Sequence, residues 1–202
     1  AANDSISNIV FDNLIKTLDE GKNYFLQSDI DDFQKFRSTI SQDMRNGDLS
    51  SAFYIFNRYN QRALQSLEYA LTQVELPQEF NKEETYVNYR DKLSWFASEA
   101  ELKDQWRKRV KFDLLNLRLT SPAGKDESEK HKETIRKRYN NLISQAKQTN
   151  SNDAFQFHNV IICCKRTIPP WARALQGGRA PLHSSHGSDP RQAHRAQPSD
   201  RH

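Results

Sequence analysis

Residues 50–75 read SSAFYIFNRYNQRALQSLEYALTQVE. Phe53, Phe56, Tyr59 or Asn60, Ala63, Leu67, Ala70, Leu71 and Val74 recur at steps of three and four, the period of one helix face. Ser50 stands as an N-cap, and Leu76-Pro77 stops the run. A long amphipathic helix must bury its stripe against something, and the flanking sequence supplies more of the same kind.

Upstream, Ile6, Ile9, Val10, Leu14 and Leu18 mark a helix from about Ser5 to Glu20, with Gly21 where a left-handed C-terminal residue belongs. Asn23-Tyr24-Phe25-Leu26 is a short apolar connection. A second helix is predicted from Ser28-Asp29-Ile30-Asp31, with the stripe Ile30, Phe33, Phe36 or Arg37, Ile40 and Met44, ended by Gly47. Downstream, residues 78–97 have no clean period. They carry Phe80, Tyr86, Tyr89, Trp95 and Phe96, which reads as an ordered aromatic connection. Ser98-Glu99-Ala100-Glu101 is a capping box that opens a helix through Leu102, Trp106, Val110, Leu114 and Leu117. After a loop at residues 120–124, a charged helix from Lys125 to about Lys147 carries Ile135, Tyr139, Leu142 and Ala146. Ser151 caps a last helix that starts at Asn152. Residues 1–158 hold three Gly and two Pro and show no strand pattern. The expected fold class is all-α, a helical domain of about five or six helices.

The composition breaks near residue 158. Every Phe, Tyr and Glu lies before it, whereas residues 159–202 hold both Cys, five of the seven Pro and four of the six His. Those residues contain seven Lys and Arg against two Asp, a charge of +5, which leaves −1 for residues 1–158 of the chain's +4. The basic pI therefore belongs to the tail, and it argues for no nucleic-acid surface on the body. Residues 165–202 offer Ile168, Trp171, Leu175 and Leu182 as large apolar groups, too few to offset chain entropy, so the tail is expected to be disordered. Its excess of Arg, Pro, Ala, Gly, His and Ser has the character of GC-rich DNA read out of frame. The rival readings are a basic tail that binds nucleic acid and a metal-binding tail using His183, His186, His194 and His202, which lack the spacing of a closed site. Cys163 and Cys164 are adjacent and poorly placed to bridge each other. No apolar run approaches the roughly 20 residues of a membrane span.

Four features of the body invite a chemical reading. Asp29, Asp31 and Asp32 suit a helix N-terminus without a metal, since no Glu-x-x-His pair accompanies them. His131, between Lys130 and Lys132, reads as a solvated surface residue rather than a catalytic base. Arg107-Lys108-Arg109 with Lys111, and Arg136-Lys137-Arg138, point in different directions around their helices. Neighbouring Glu99, Glu101, Asp104 and Asp113, and Glu127, Glu129 and Glu133, make them ion-paired faces. Phosphate-binding loops and nucleophile elbows are absent. No catalytic, cofactor-binding or metal-ligating residue is assigned, and no cofactor is expected.

An ordered series of segments resembles a known family. It runs through Phe11-Asp12-Asn13-Leu14, Leu18-Asp19, Asn23-Tyr24-Phe25-Leu26-Gln27-Ser28-Asp29-Ile30, Gly47-Asp48-Leu49 and Ala52-Phe53-Tyr54-Ile55-Phe56-Asn57. Then follow Glu99-Ala100-Glu101-Leu102, Trp106-Arg107-Lys108-Arg109-Val110-Lys111-Phe112-Asp113, Leu117-Arg118-Leu119-Thr120, Lys137-Arg138-Tyr139 and Gln148-Thr149-Asn150-Ser151-Asn152-Asp153-Ala154-Phe155. Over residues 5–157 this resembles the N-terminal helical domain of the bacterial carboxy-terminal processing peptidases, the tail-specific proteases. The resemblance implies a periplasmic serine endopeptidase that degrades proteins with nonpolar C-termini, using a PDZ domain and a serine–lysine dyad. The dyad requires a neutral lysine. Protein substrates or adaptors are the implied partners.

The sequence departs from that family just past Phe157, before the PDZ domain and both dyad residues. The expectation is two parts: residues 1–158, an N-terminal domain lacking the catalytic residues and inactive alone, and residues 159–202, an out-of-frame tail. The alternative is a stand-alone helical interaction module, with the aromatic connection at residues 80–96 as its exposed surface.

Overall fold

The computed structural model describes residues 2–121 and 127–149. Residues 122–124 of the loop predicted at 120–124, the helix capped by Ser151, and the whole tail with its cysteines and histidines lie outside the described residues. The described residues form six α-helices: α1 (Ala2–Asp19), α2 (Gln27–Phe33), α3 (Ile40–Arg45), α4 (Ser50–Glu75), α5 (Glu99–Thr120) and α6 (Ser128–Thr149). A 3-10 turn (Gln34–Phe36) follows α2. Among the described residues there is no strand. One isolated bridge joins Leu26 to Phe96, with the Gln27 N–H donating to the Phe96 carbonyl at 2.8 Å. The all-α expectation holds.

α4 is the central element, packed by α5 and α6 and also by α1 and α3. Phe56, Asn60, Ala63, Leu67, Ala70 and Val74 are buried, as the spacing predicts. Phe53 is 36% exposed, however, and Ala52 and Ile55 are buried in its place. Helices approach α4 from more than one side, so its buried face is wider than a single stripe. Its C-terminal half joins α5 and α6 in a core of Leu67, Ala70, Val74, Leu102, Trp106, Val110, Leu114, Ile135, Tyr139 and Ile143. Each large side chain so buried contributes about 1.5–3 kcal/mol. In α6 Ile135 and Tyr139 are buried as predicted, but Ile143 is buried in place of Leu142, which is among the exposed large hydrophobics. The i, i+4, i+8 row of Ile135, Tyr139 and Ile143 is one ridge of a helix, and packing along that ridge turns Leu142 outward.

Several boundaries differ from the predicted ones. The single helix expected over residues 28–47 is broken at Arg37–Thr39 into α2, the 3-10 turn and α3. Phe33 and Ile40 are both fully buried, Phe33 edge-on to Phe25, and α3 against α1, where the Ser41 N–H donates to Ser7 Oγ. The chain bends at Ser38-Thr39, residues that lose little by leaving a helix, and tertiary packing decides. α3 ends as predicted on Gly47 at φ +83°. The Asp48 N–H donates to the Asp43 carbonyl and the Gly47 N–H to that of Met44, the paired bonds of a Schellman motif. At the end of α1 the left-handed residue is Lys22 (φ 51°) rather than Gly21. A Cβ at Gly21 would lie 2.5 Å from Asn23 Nδ2, the tip of a side chain that would have to turn aside. Leu49, not Ser50, is the N-cap of α4. Asp48 accepts from both the N–H and the hydroxyl of Ser50.

Candidate functional site

The carboxylates of residues 29–32 have separate partners. Asp29 is buried. It accepts from the Leu26 N–H at 3.0 Å, from Arg58 at 3.0 Å and from Arg62 at 2.9 and 3.2 Å. Arg62 goes on to Glu99 at 2.9 Å, so one charge network ties α2, α4 and the first turn of α5. Asp32 faces Lys35 and the Tyr54 hydroxyl, which hold its carboxyl below the usual range. Asp31 is exposed and accepts from Gln27. Among the described residues no group of three or more His, Cys, Asp or Glu is placed to hold a metal.

His131 is not the solvated residue that its neighbours suggested. Its side chain is 12% exposed, and Nε2 lies 2.7 Å from Ser121 Oγ. The Ser121 hydroxyl donates to the Leu117 carbonyl at 2.9 Å, so the imidazole is the donor to Ser121. This arrangement clips the end of α5 to the start of α6 and does not activate a nucleophile. The partner lies ten residues back in sequence, beyond the reach of a local reading.

The basic runs are ion-paired as expected, and Glu84 and Glu75 join the acidic neighbours named above as partners. Glu84, in the aromatic connection, accepts from Arg107 at 2.5 Å and Lys111 at 2.6 Å. These two cations bring its carboxyl down to about 2. Asp104 pairs with Arg107 and Lys108, and Arg109 lies over the Trp106 ring. Arg136 reaches Glu75 and Glu133, and Arg138 lies 3.8 Å from Asp113.

Residues 77–97 run back along α5 as a strap. The side chains of Lys22, Gln105 and Lys111 donate to its carbonyls at Leu93, Val87 and Lys82. Phe96 is buried, Phe80, Tyr86 and Trp95 are half-buried, and Tyr89 is 61% exposed. Most of its aromatics therefore serve packing. One residue that the sequence did not single out organises the turn before α2. Buried Asp19 accepts the N–H groups of Asn23, Tyr24 and Phe25 at 2.7–2.9 Å, and burial pushes its carboxyl up against those bonds. The Trp106 indole N–H donates to the Asn23 carbonyl at 2.9 Å and seals the turn onto α5.

Open grooves among the described residues include the following two. One, of about 390 Å³, lies beside α1 and the strap, with Asp12, Lys16, Arg37, Asp91 and Trp95 on its walls. The other, of about 320 Å³, lies between α4 and α5, with Gln65, Glu68, Tyr69, Leu102, Lys103 and Trp106 on its walls. Neither gathers a nucleophile, a base and an oxyanion donor.

The family model described as the tail specific protease N-terminal domain matches residues 1–161. The chain belongs to this family. Among curated relatives, the tail-specific protease of Haemophilus influenzae is 34% identical over 156 residues, which cover 77% of the chain and 22% of that protein. The chain thus spans about a fifth of the length of the relative it matches. Asp19, Asp29 and Glu84 of this tail specific protease N-terminal domain hold its helices and strap together. No helix among the described residues is long and apolar enough to cross a membrane.

Proposed function

We propose that the chain works as the N-terminal helical part of a tail-specific protease, an architectural unit with no peptidase activity of its own. The observation that carries this reading is the family match over residues 1–161, set beside a relative more than four times as long as the matched stretch. In this reading hydrolysis belongs to residues outside that stretch, in a periplasmic enzyme whose substrates are proteins with nonpolar C-termini. Residues 1–158 form the domain, and residues 159–202 are a separate out-of-frame tail. The family match stops three residues past the compositional break.

Two experiments test the proposal. Residues 1–157 replace the matched stretch of the H. influenzae protease, and degradation of a reporter with a nonpolar C-terminus is followed. The expected result is retained proteolysis, with the present chain alone inert. A folded but inactive chimera, or cleavage by the chain alone, would overturn the assignment. Resequencing the gene across codon 158 tests the tail, because a confirmed frame through His202 removes the frameshift.

The rival reading as a stand-alone interaction module draws on Tyr89, Val87 and Leu93, which are exposed on the strap. The burial of Phe96 and the pinning of the strap's carbonyls favour architecture.

A further inference from the structure

The groove beside α1 has a wall that is fixed in place. In the strap, the Leu93 N–H donates to the Arg90 carbonyl at 2.9 Å and closes a turn over residues 90–93. Gln105 of α5 holds the Val87 carbonyl at 2.8 Å, and Lys22, just past α1, holds that of Leu93 at 2.5 Å. Asp91 stands at the corner of this turn and on the wall of the groove. Tyr89 on one side of it is 61% exposed, and Leu93 on the other is 42% exposed.

Most charges on the walls are satisfied within the chain. Arg37 pairs with Asp12 at 2.8 Å and Lys16 with Glu20 at 3.5 Å. Lys22 is bound to its carbonyl and lies over the Trp95 ring, and buried Asp19 is taken up by three N–H groups. Half-buried Asp91 has no hydrogen bond or ion pair among the described residues. With Asp12, Asp19, Glu20 and Asp91 against Lys16, Lys22 and Arg37, the groove carries one surplus negative charge, and the pairing leaves it at Asp91. A cation set between a carboxylate and an indole ring gains from both. At about 390 Å³ the groove is near the small end of ligand clefts, which suits one long side chain better than a whole cofactor. Its floor of Phe11, Ile15 and Ile30 is already buried, so new apolar contact must come from Tyr89 and Leu93 beside it.

We propose that this groove docks a protein segment in which a Lys or Arg enters against Asp91 and Trp95, with large apolar neighbours laid on Tyr89 and Leu93. A free amine or a metal cation would meet the charge and leave both apolar side chains uncovered, so the partner is a polypeptide. The inference uses nothing from the family match, and its failure would leave the protease assignment untouched.

The test pans the intact 202-residue chain with a phage-displayed library of linear dodecapeptides, then titrates the selected peptides by fluorescence anisotropy. The selected sequences are expected to share a Lys or Arg within two positions of Leu, Ile or Phe. Asp91→Lys should weaken such a peptide about tenfold or more, and so should Tyr89→Ser with Leu93→Ser. Glu129→Lys, which reverses an exposed charge on α6, should leave binding unchanged. A peptide whose cation is replaced by Glu should bind Asp91→Lys and not the unsubstituted chain. Circular dichroism of each variant separates lost docking from lost folding. A library that yields no binder, binders without a shared cation, or equal binding to Asp91→Lys overturns the proposal. Binding that appears only after the seven Lys and Arg of residues 159–202 are changed to Ser overturns it too, since the chain's own tail would be the occupant. Self-association that Asp91→Lys abolishes does the same, because a second copy would then fill the groove.

Discussion

Asp29, Asp31 and Asp32 share one helical turn, yet they bear unequal weight. The side chain of Asp29 is 1% exposed and pairs with both Arg58 and Arg62, and the Arg62 side chain is itself 12% exposed. Removing one partner of a buried ion pair strands the other, which typically costs about 3–5 kcal/mol. Asp29→Ala is therefore expected to lower the unfolding free energy by about 3 kcal/mol in urea melts. Asp31→Ala, at an exposed side chain bonded to Gln27, should change it by less than about 0.5 kcal/mol. Equal effects at the two positions would mean that the network on Asp29 contributes no more than an ordinary surface contact. The acidic composition of the turn was plain in the sequence, but the special place of Asp29 was not. Its arginines stand 29 and 33 residues away, and only the packing of α2 on α4 brings them together. Asp19 was hidden for a different reason. Three consecutive N–H groups converge on it because the chain reverses there, and burial raises its carboxyl even as those donors oppose the rise.

At the scale of elements, periodicity succeeded where one face was buried along a whole helix. α5 follows its stripe closely, since Leu102, Trp106, Val110 and Leu114 are all buried, and α4 keeps most of its own from Phe56 to Val74. It failed over residues 28–47. Phe33 and Ile40 lie seven positions apart, which is equally compatible with one straight helix or two bent ones, and only the fit to α1 distinguishes them. The end of α3 makes a clean test of local geometry. Gly47 has φ +83°, and a Cβ added there would have no atom within 4 Å, so a side chain meets conformational strain and no clash. Gly47→Ala should cost about 1–2 kcal/mol in thermal or urea unfolding. A neutral result would show that the left-handed turn relaxes freely.

The strap gives a second elemental prediction, through pH. Glu84 titrates at about 2, below the ordinary 4.5, because Arg107 and Lys111 favour its charged form. A depressed carboxyl stabilises the fold above its ordinary value, and that contribution is lost as pH falls from about 4.5 toward 2. Carbonyl NMR of Glu84 should show a midpoint near 2, and Glu84→Gln should speed amide exchange over residues 80–90 at neutral pH while leaving α5 unchanged. A midpoint near 4.5 would mean that the two cations do not hold the strap in solution.

For the whole molecule, charge and stability are expected to separate along the chain. Residues 1–158 carry −1 and supply every buried side chain described, while residues 159–202 carry +5. A polyanion therefore meets an attractive field only at the tail, and binding that depends on a few Lys and Arg falls steeply with salt. The full chain should bind heparin weakly at low ionic strength and lose it as salt rises, and a chain ending at residue 161 should not bind at all. That shortened chain should keep the unfolding midpoint of the full one, because the residues removed lie beyond the family match. A fall in stability on cutting at residue 161 would make the basic tail part of the domain.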